Sequence, residues 1–278
     1  MKRMKIAIMG VPGSFHEQVA LGLHFSEKEI LYCKDFPEVA EAVSKGAAEG
    51  GLIAIENSTA GSILPNHELI LRSGLKITSE VYHRVSFSLL APKGVKLEDV
   101  RYVDSHPMAL LQCKTFLNKL GKIQLRERPD TATAARELSI AQKTDVAAIA
   151  HEGVARMYGL EILASAIETE KKNLTRFVVV RKEMDVYSDA DKMSVCFRLP
   201  HYKGKLAKVL TVLDQAEINL TRIQSLPVPG DPGNYFFYLD LEFDGSGKRP
   251  DVPHLLQECT QELTVLGCYQ KGKNPLNN

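Results

Sequence analysis

Through the first two thirds of the chain, short apolar runs alternate with stretches of helical period, and this rhythm constrains the fold more than any other feature. Residues 5–9, 30–33 and 52–55 read as strands, 38–48 and 63–72 as helices, with a further helix opening at Phe15. After Pro92 the rhythm resumes: strands at 100–103, 123–126 and 146–149, helices at 108–120, 131–141 and 153–158. Such alternation predicts an α/β architecture with helices packed on a parallel sheet. A last strand, 176–181, follows the polar stretch 168–173, which can carry the chain back to its starting lobe. The expectation is a unit spanning residues 1–183 in two lobes, about 1–82 with 170–183 and 83–169, with a ligand cleft between them.

An acidic, aperiodic break at 184–192 reads as a linker, and the rhythm then changes. Strands at 193–199, 218–226, 235–243 and 264–270, with helices at 204–216 and 252–263, give the βαββαβ order of an α+β ferredoxin-like unit over 193–278.

With 278 residues and a net charge of +1, the chain is large enough for more than one core and has no general attraction for nucleic acid or anionic lipid. No apolar run is long enough to cross a membrane, and the five cysteines form no Cys-x-x-Cys pair, which fits a reduced, cytoplasmic setting. The eight histidines fall singly, without metal-ligand spacing, so no metal site is expected.

Chemistry concentrates where strands pass into helices. Gly10-Val-Pro-Gly-Ser-Phe-His16 lets backbone approach a ligand beside free helix N–H groups, and serves equally as a tight turn capped by Ser14. It is not a dinucleotide fingerprint. Ile55-Glu-Asn-Ser-Thr-Ala-Gly-Ser62 places a carboxylate, an amide and hydroxyls in sequence, more than capping by Ser58 or Ser62 requires. Asp104-Ser-His-Pro-Met-Ala-Leu-Leu-Gln112 sets Pro107 in a first helical turn, with Ser105 and Gln112 on one face. His106 suits packing better than base chemistry, and Asp130 reads as a helix cap. In Asn173-Leu-Thr-Arg-Phe177, polar groups stand at the mouth of a β-branched strand. Alternation puts Thr175 and Phe177 on one face and Arg176 on the other, as a brace. No Ser-His-Asp order or nucleophile elbow accompanies these segments, which argues against hydrolysis.

Taken in order, Gly13-Ser-Phe15, Ile55-Glu-Asn-Ser-Thr59, Ser105-His-Pro107 with Gln112, Tyr158-Gly-Leu160 and Asn173-Leu-Thr-Arg-Phe177 resemble the successive signatures of the prephenate dehydratase family. Residues 193–270 resemble the ACT regulatory domain such enzymes carry, and nothing resembles a chorismate mutase. The resemblance implies a fold similar to type II periplasmic binding proteins and a reaction that turns prephenate into phenylpyruvate, CO2 and water. No cofactor is implied, because aromatisation of the ring drives the step. By resemblance Thr175 assists departure of the ring hydroxyl, while Glu56, Asn57, Ser105 and Gln112 complete the catalytic set. Ser14, Phe15, Ser58, Thr59, Arg176 and Phe177 form the expected substrate-binding set.

In the ACT segment the family's Gly-Ala-Leu and Glu-Ser-Arg-Pro read Gly204-Lys-Leu206 and Gln224-Ser-Leu-Pro227. Gly204, Leu206, Gln224 and Ser225 are therefore the expected L-phenylalanine contacts, in a homodimer or homotetramer joined through these domains. Two alternatives stay open: arogenate as the substrate, and a two-lobed amino-acid sensor without turnover.

Overall fold

The computed structural model describes residues 4–184, 189–200, 202–228, 230–231, 233–244 and 250–273. It opens with β1 (Ile6–Met9), α1 (Phe15–Gly22), β2 (Ile30–Cys33), α2 (Phe36–Ser44), β3 (Gly50–Asn57), β4 (Gly61–Ser62), α3 (Leu64–Ser73) and β5 (Lys76–Arg84). Local chemistry sets these bounds. Ser14 and Asp35 accept the Glu17 and Glu38 amides at the starts of α1 and α2, and Gly74 ends α3 in the left-handed region.

The chain then crosses to a second sheet through residues 85–87. That lobe holds β6 (Ser88–Ala91), β7 (Tyr102–Ser105), α4 (Pro107–Gln112), α5 (Lys114–Leu117), β8 (Gln124–Glu127), α6 (Thr131–Ala141), β9 (Val146–Ala150), α7 (Glu152–Tyr158) and β10 (Glu161–Ala164), in strand order β10-β6-β9-β7-β8. Residues 165–173 return the chain to β11 (Leu174–Arg181), which lies antiparallel between β3 and β5. The expected parallel sheets are thus mixed: β1 pairs in parallel with β2 and β3, but the returning strand and β6 run the other way.

The last segment comprises β12 (Lys192–Leu199), α8 (Lys205–Gln215), β13 (Asn219–Pro227), β14 (Tyr235–Glu242), α9 (Val252–Leu256) and β15 (Gln261–Tyr269). Its antiparallel order β13-β14-β12-β15 is that of a ferredoxin-like sheet. One face carries the core under α8 and α9, built from Val195, Phe197, Leu213, Leu239 and Leu256. The other face is also covered: Cys196, Tyr238, Leu266 and Tyr269 pack into the same core as Ile70, Ile77 and Val178 of the first lobe.

β15 also pairs with β5 at Gly267 and Ile77, so the C-terminal sheet and the first lobe form one ten-stranded sheet. A Cβ on Gly267 would lie 2.2 Å from the Ile77 carbonyl oxygen, so glycine is required for this approach.

Strands β5, β6 and β10 were not expected, and three expected elements have other bounds. The expected helix 108–120 is broken at Cys113, whose buried side chain has non-helical backbone, into α4 and α5. The expected helix 252–263 stops at Leu256, where the Thr260 hydroxyl donates to the Leu256 carbonyl and the chain enters β15. β12 begins at Lys192 inside the expected linker, with Lys192 itself buried; residues 185–188 of that linker lie outside the described residues.

Candidate active site

The Asn-Leu-Thr-Arg stretch opens β11, and each polar residue there goes to a different place. Register sets Thr175 between Asn57 of β3 and His83 of β5. Thr175 and Phe177 line a cavity of about 550 Å³ at the seam of the two lobes, together with Ser14, Phe15, His16, Asn57 and Gln112. Its walls are apolar through Phe36, Phe87, Met108 and Ile63. Three helix N-caps, Ser14 of α1, His106 of α4 and Asp130 of α6, stand on its rim, so orphan N–H groups converge there. Among the described residues no lysine or arginine lines the cavity, and Asp130 is its one formally charged side chain.

Asn57, Gln112 and Asn173 form a closed ring of amides. Asn57 Nδ2 donates to Asn173 Oδ1 at 2.6 Å, Asn173 Nδ2 to Gln112 Oε1 at 3.0 Å, and Gln112 Nε2 to Asn57 Oδ1 at 3.1 Å. Gln112 comes from the second lobe and Asn57 from the first, so the ring latches the lobes. All three are buried. Asn57 Nδ2 also donates to Thr175 Oγ1 at 3.0 Å, which occupies the hydroxyl as an acceptor and leaves its own proton for the cavity. The Thr59 and Ala60 amides donate to Asn57 Oδ1 and fix the amide's orientation.

A second latch runs beside Phe15. His151 Nε2 donates to the Gly13 carbonyl at 2.7 Å, Gln18 Nε2 to His151 Nδ1 at 2.8 Å, and His83 Nε2 to Gln18 Oε1 at 3.2 Å. This sequence requires a neutral His151, whose Nδ1 accepts, and burial lowers the pKa of both His83 and His151. The Tyr158 hydroxyl adds a bond to the Pro12 carbonyl at 2.8 Å. His16 packs its ring edge-on against Phe177, with centroids 5.0 Å apart, and burial followed by the neighbouring His83 lowers its pKa to about 4.

Of the expected site residues, Ser14, Phe15, Asn57, Gln112, Thr175 and Phe177 meet at the cavity, and five do not. Glu56 and Arg176 point to the opposite face of the sheet. Arg176 is buried against Glu80, Asp240 and the Tyr269 hydroxyl; burial opposes its charge, but these partners outweigh that and hold it ionised. Glu56 lies 3.4 Å from Arg176 and 3.5 Å from Arg222. Ser105 is fully buried at the end of β7 rather than on a helix, and its hydroxyl donates to the Ile149 carbonyl at 2.7 Å. Ser58 is spent on the returning chain, donating to the Lys172 carbonyl and accepting the Leu174 amide. Thr59 lies in a neighbouring pocket of about 280 Å³ behind the amide ring.

Sequence reasoning gave no role to His16, read Asn173 only as a polar group at the mouth of the strand, and set aside His106 and Asp130, all of which the fold draws to the site. The available signal was position: three of the four stand where a strand or loop meets a helix. In the C-terminal sheet, Gly204 caps α8 in a left-handed conformation, Leu206 packs toward the core, and Gln224 and Ser225 lie on the edge strand β13.

Residues 6–185 match the protein family described as prephenate dehydratase. The chain belongs to that family. It is 38% identical to the chloroplastic arogenate dehydratase/prephenate dehydratase 1 of Arabidopsis thaliana over 285 residues, covering 96% of this chain and 72% of the relative. It is 36% identical to arogenate dehydratase 2 of Petunia hybrida, covering 96% and 72%. Among solved structures, the prephenate dehydratase of Arthrobacter aurescens in complex with L-Phe superposes with a TM-score of 0.85 at 26% identity, covering 96% of this chain and 90% of that one. A chain described as a quorum quenching acylase superposes equally well, at 0.85 and 29% identity over 99% and 100%. One fold therefore carries more than one chemistry, and the reaction has to be argued from the cavity.

Proposed function

We propose that this dehydratase takes prephenate and releases phenylpyruvate, CO2 and water. The observation that carries the reading is the Asn57–Thr175 contact on the wall of the inter-lobe cavity, which uses the hydroxyl as an acceptor and so leaves its proton available to donate. In the step itself, the bond between ring and carboxylate breaks, its electron pair enters the ring, and the ring hydroxyl leaves from the opposite carbon. Thr175 donates a hydrogen bond to that departing oxygen, and a proton from solvent completes the water. A threonine hydroxyl is too weak an acid to give up its proton outright, so its contribution is a positioned hydrogen bond that strengthens as charge develops. Helix N-termini take the side-chain carboxylate. An arginine clamped on the departing carboxylate would favour the ground state, and the absence of lysine and arginine from the described lining fits this requirement.

A second reading, arogenate as the preferred substrate, is favoured by the names of the plant relatives and by Asp130, a carboxylate placed to meet an ammonium group. The C-terminal sheet is read as an ACT domain that binds L-phenylalanine through Gly204, Leu206, Gln224 and Ser225 and pairs subunits into a homodimer or homotetramer. The L-Phe complex of the Arthrobacter aurescens relative supports the effector. No helix among the described residues is long and apolar enough to cross a membrane, and a cytoplasmic location belongs to the same proposal. Turnover assays with prephenate and arogenate, each with and without L-phenylalanine, test the reading. Phenylpyruvate formed faster from prephenate supports it, preference for arogenate selects the second, and no turnover of either refutes both.

A further inference from the structure

Behind the cavity lies a buried ionic cluster that takes no part in lining it, although every strand of the C-terminal sheet contributes. β12 supplies Lys192 and Ser194, β13 Arg222, β14 Asp240 and β15 Tyr269. The catalytic side supplies Glu56, Ser62, Glu80 and Arg176. Ser194 donates to Asp240 Oδ1 at 2.5 Å, and Lys192 Nζ reaches Glu80 at 3.1 Å.

The register of β3 and β11 gives this cluster its significance. Arg176 pairs with Glu56, and Thr175 pairs with Asn57. Side chains alternate across a strand, so the two residues facing the C-terminal sheet are backbone neighbours of the two at the cavity. Moving one pair moves the other. Arg222 is the member best placed to do so from a distance. Its guanidinium donates to Ser62 Oγ at 2.8 Å, lies 3.5 Å from Glu56 Oε2 and approaches Asp240 Oδ2 at 3.9 Å. It stands on the edge strand β13, two residues from Gln224.

We propose that Arg222 is a positioning residue that holds the Asn57–Thr175 pair through Glu56 and makes the pair answer to the state of the C-terminal domain. The inference rests on the regulatory reading above for its effector, L-phenylalanine. A guanidinium fork has fixed geometry, so a shift of β13 takes the Arg222 contact from half-exposed Glu56 and from buried Asp240 and leaves both carboxylates to pull on Arg176 of β11 alone. The cluster therefore passes displacement on to β3 and β11 instead of absorbing it.

Arg222→Gln and Arg222→Lys in the full-length chain test this. Steady-state kinetics on prephenate with and without L-phenylalanine, calorimetric binding of L-phenylalanine and thermal unfolding are recorded for each. The expected result for Arg222→Gln is kcat lowered about tenfold at unchanged KM, with the inhibition factor falling at least about fivefold while L-phenylalanine still binds. Arg222→Lys, which keeps the charge but not the fork, should fall between. If the wild type neither binds nor responds to L-phenylalanine, the regulatory reading fails, and the kcat split alone decides the positioning role. Wild-type kcat in Arg222→Gln, or kcat and KM worsening in step with a lost melting transition in both variants, would overturn the proposal.

Discussion

Replacing Gln112 with leucine removes one corner of the amide ring while keeping its volume, and the structure sets the size of the effect. Two hydrogen bonds disappear, to Asn57 Oδ1 and from Asn173 Nδ2. Asn57 Oδ1 keeps the Thr59 and Ala60 amides, so it stays satisfied. Asn173 Nδ2 does not, because it donates to Gln112 and the residue is buried. One stranded donor together with one lost bond costs about 2–3 kcal/mol. Because Gln112 reaches across from the other lobe, that cost falls on the closed, catalytically arranged state. Expressed in full, it lowers kcat/KM for prephenate roughly 30- to 150-fold. Continuous spectroscopic assay of phenylpyruvate reads the effect, with near-ultraviolet circular dichroism to confirm folding. A folded Gln112→Leu enzyme within threefold of wild-type kcat/KM would refute the view that the ring holds the site together.

Acid should destabilise the fold well before its carboxylates titrate. Burial, then His83, lowers the His16 pKa to about 4, and burial, then Arg222, lowers that of His67 to about 3. Both fold neutral, so the unfolded chain binds more protons below pH ~6.5. Stability is complete above that pH and declines as pH falls through the folded-state values, His16 alone contributing about 3 kcal/mol. Urea unfolding from pH 7.5 to 4.5 should show this slope, and a flat profile would contradict it. Gly267→Ala should drive a methyl into the Ile77 carbonyl and part β15 from β5, costing about 3 kcal/mol or more. Denaturant midpoints measure it, and a wild-type midpoint would show that the strands do not approach so closely.

The lobes and their crossings were legible because buried strands such as Val146–Ala150 and Leu174–Arg181 are apolar over short, bounded runs. The face of Thr175 and Phe177 followed from strand alternation alone. β5 was illegible for the reason that makes it important: Glu80 and His83 break its apolar pattern because they serve the ionic cluster and the histidine latch. Glu56 was expected at the cleft by resemblance, and the alternation that placed Thr175 sets it on the other face. Adjacent polar residues on a strand face opposite ways, so Glu56 and Asn57 cannot both enter one cleft. Asn173 opened a quoted motif but was given no partner there, because its role exists only where the chain returns beside Gln112. Pairings between residues more than a hundred positions apart, such as Arg176 with Glu56, are set by topology and are not encoded in any local pattern.

The most direct measurement is single-turnover and steady-state kinetics of Thr175→Val beside Thr175→Ser. Valine keeps shape and the strand but removes the donor aimed into the cavity, so kcat should fall by about 100-fold or more with KM little changed. Serine, which retains a hydroxyl for Asn57 to orient, should recover most of the rate. A valine enzyme turning over prephenate at close to the wild-type rate would contradict the account at its centre.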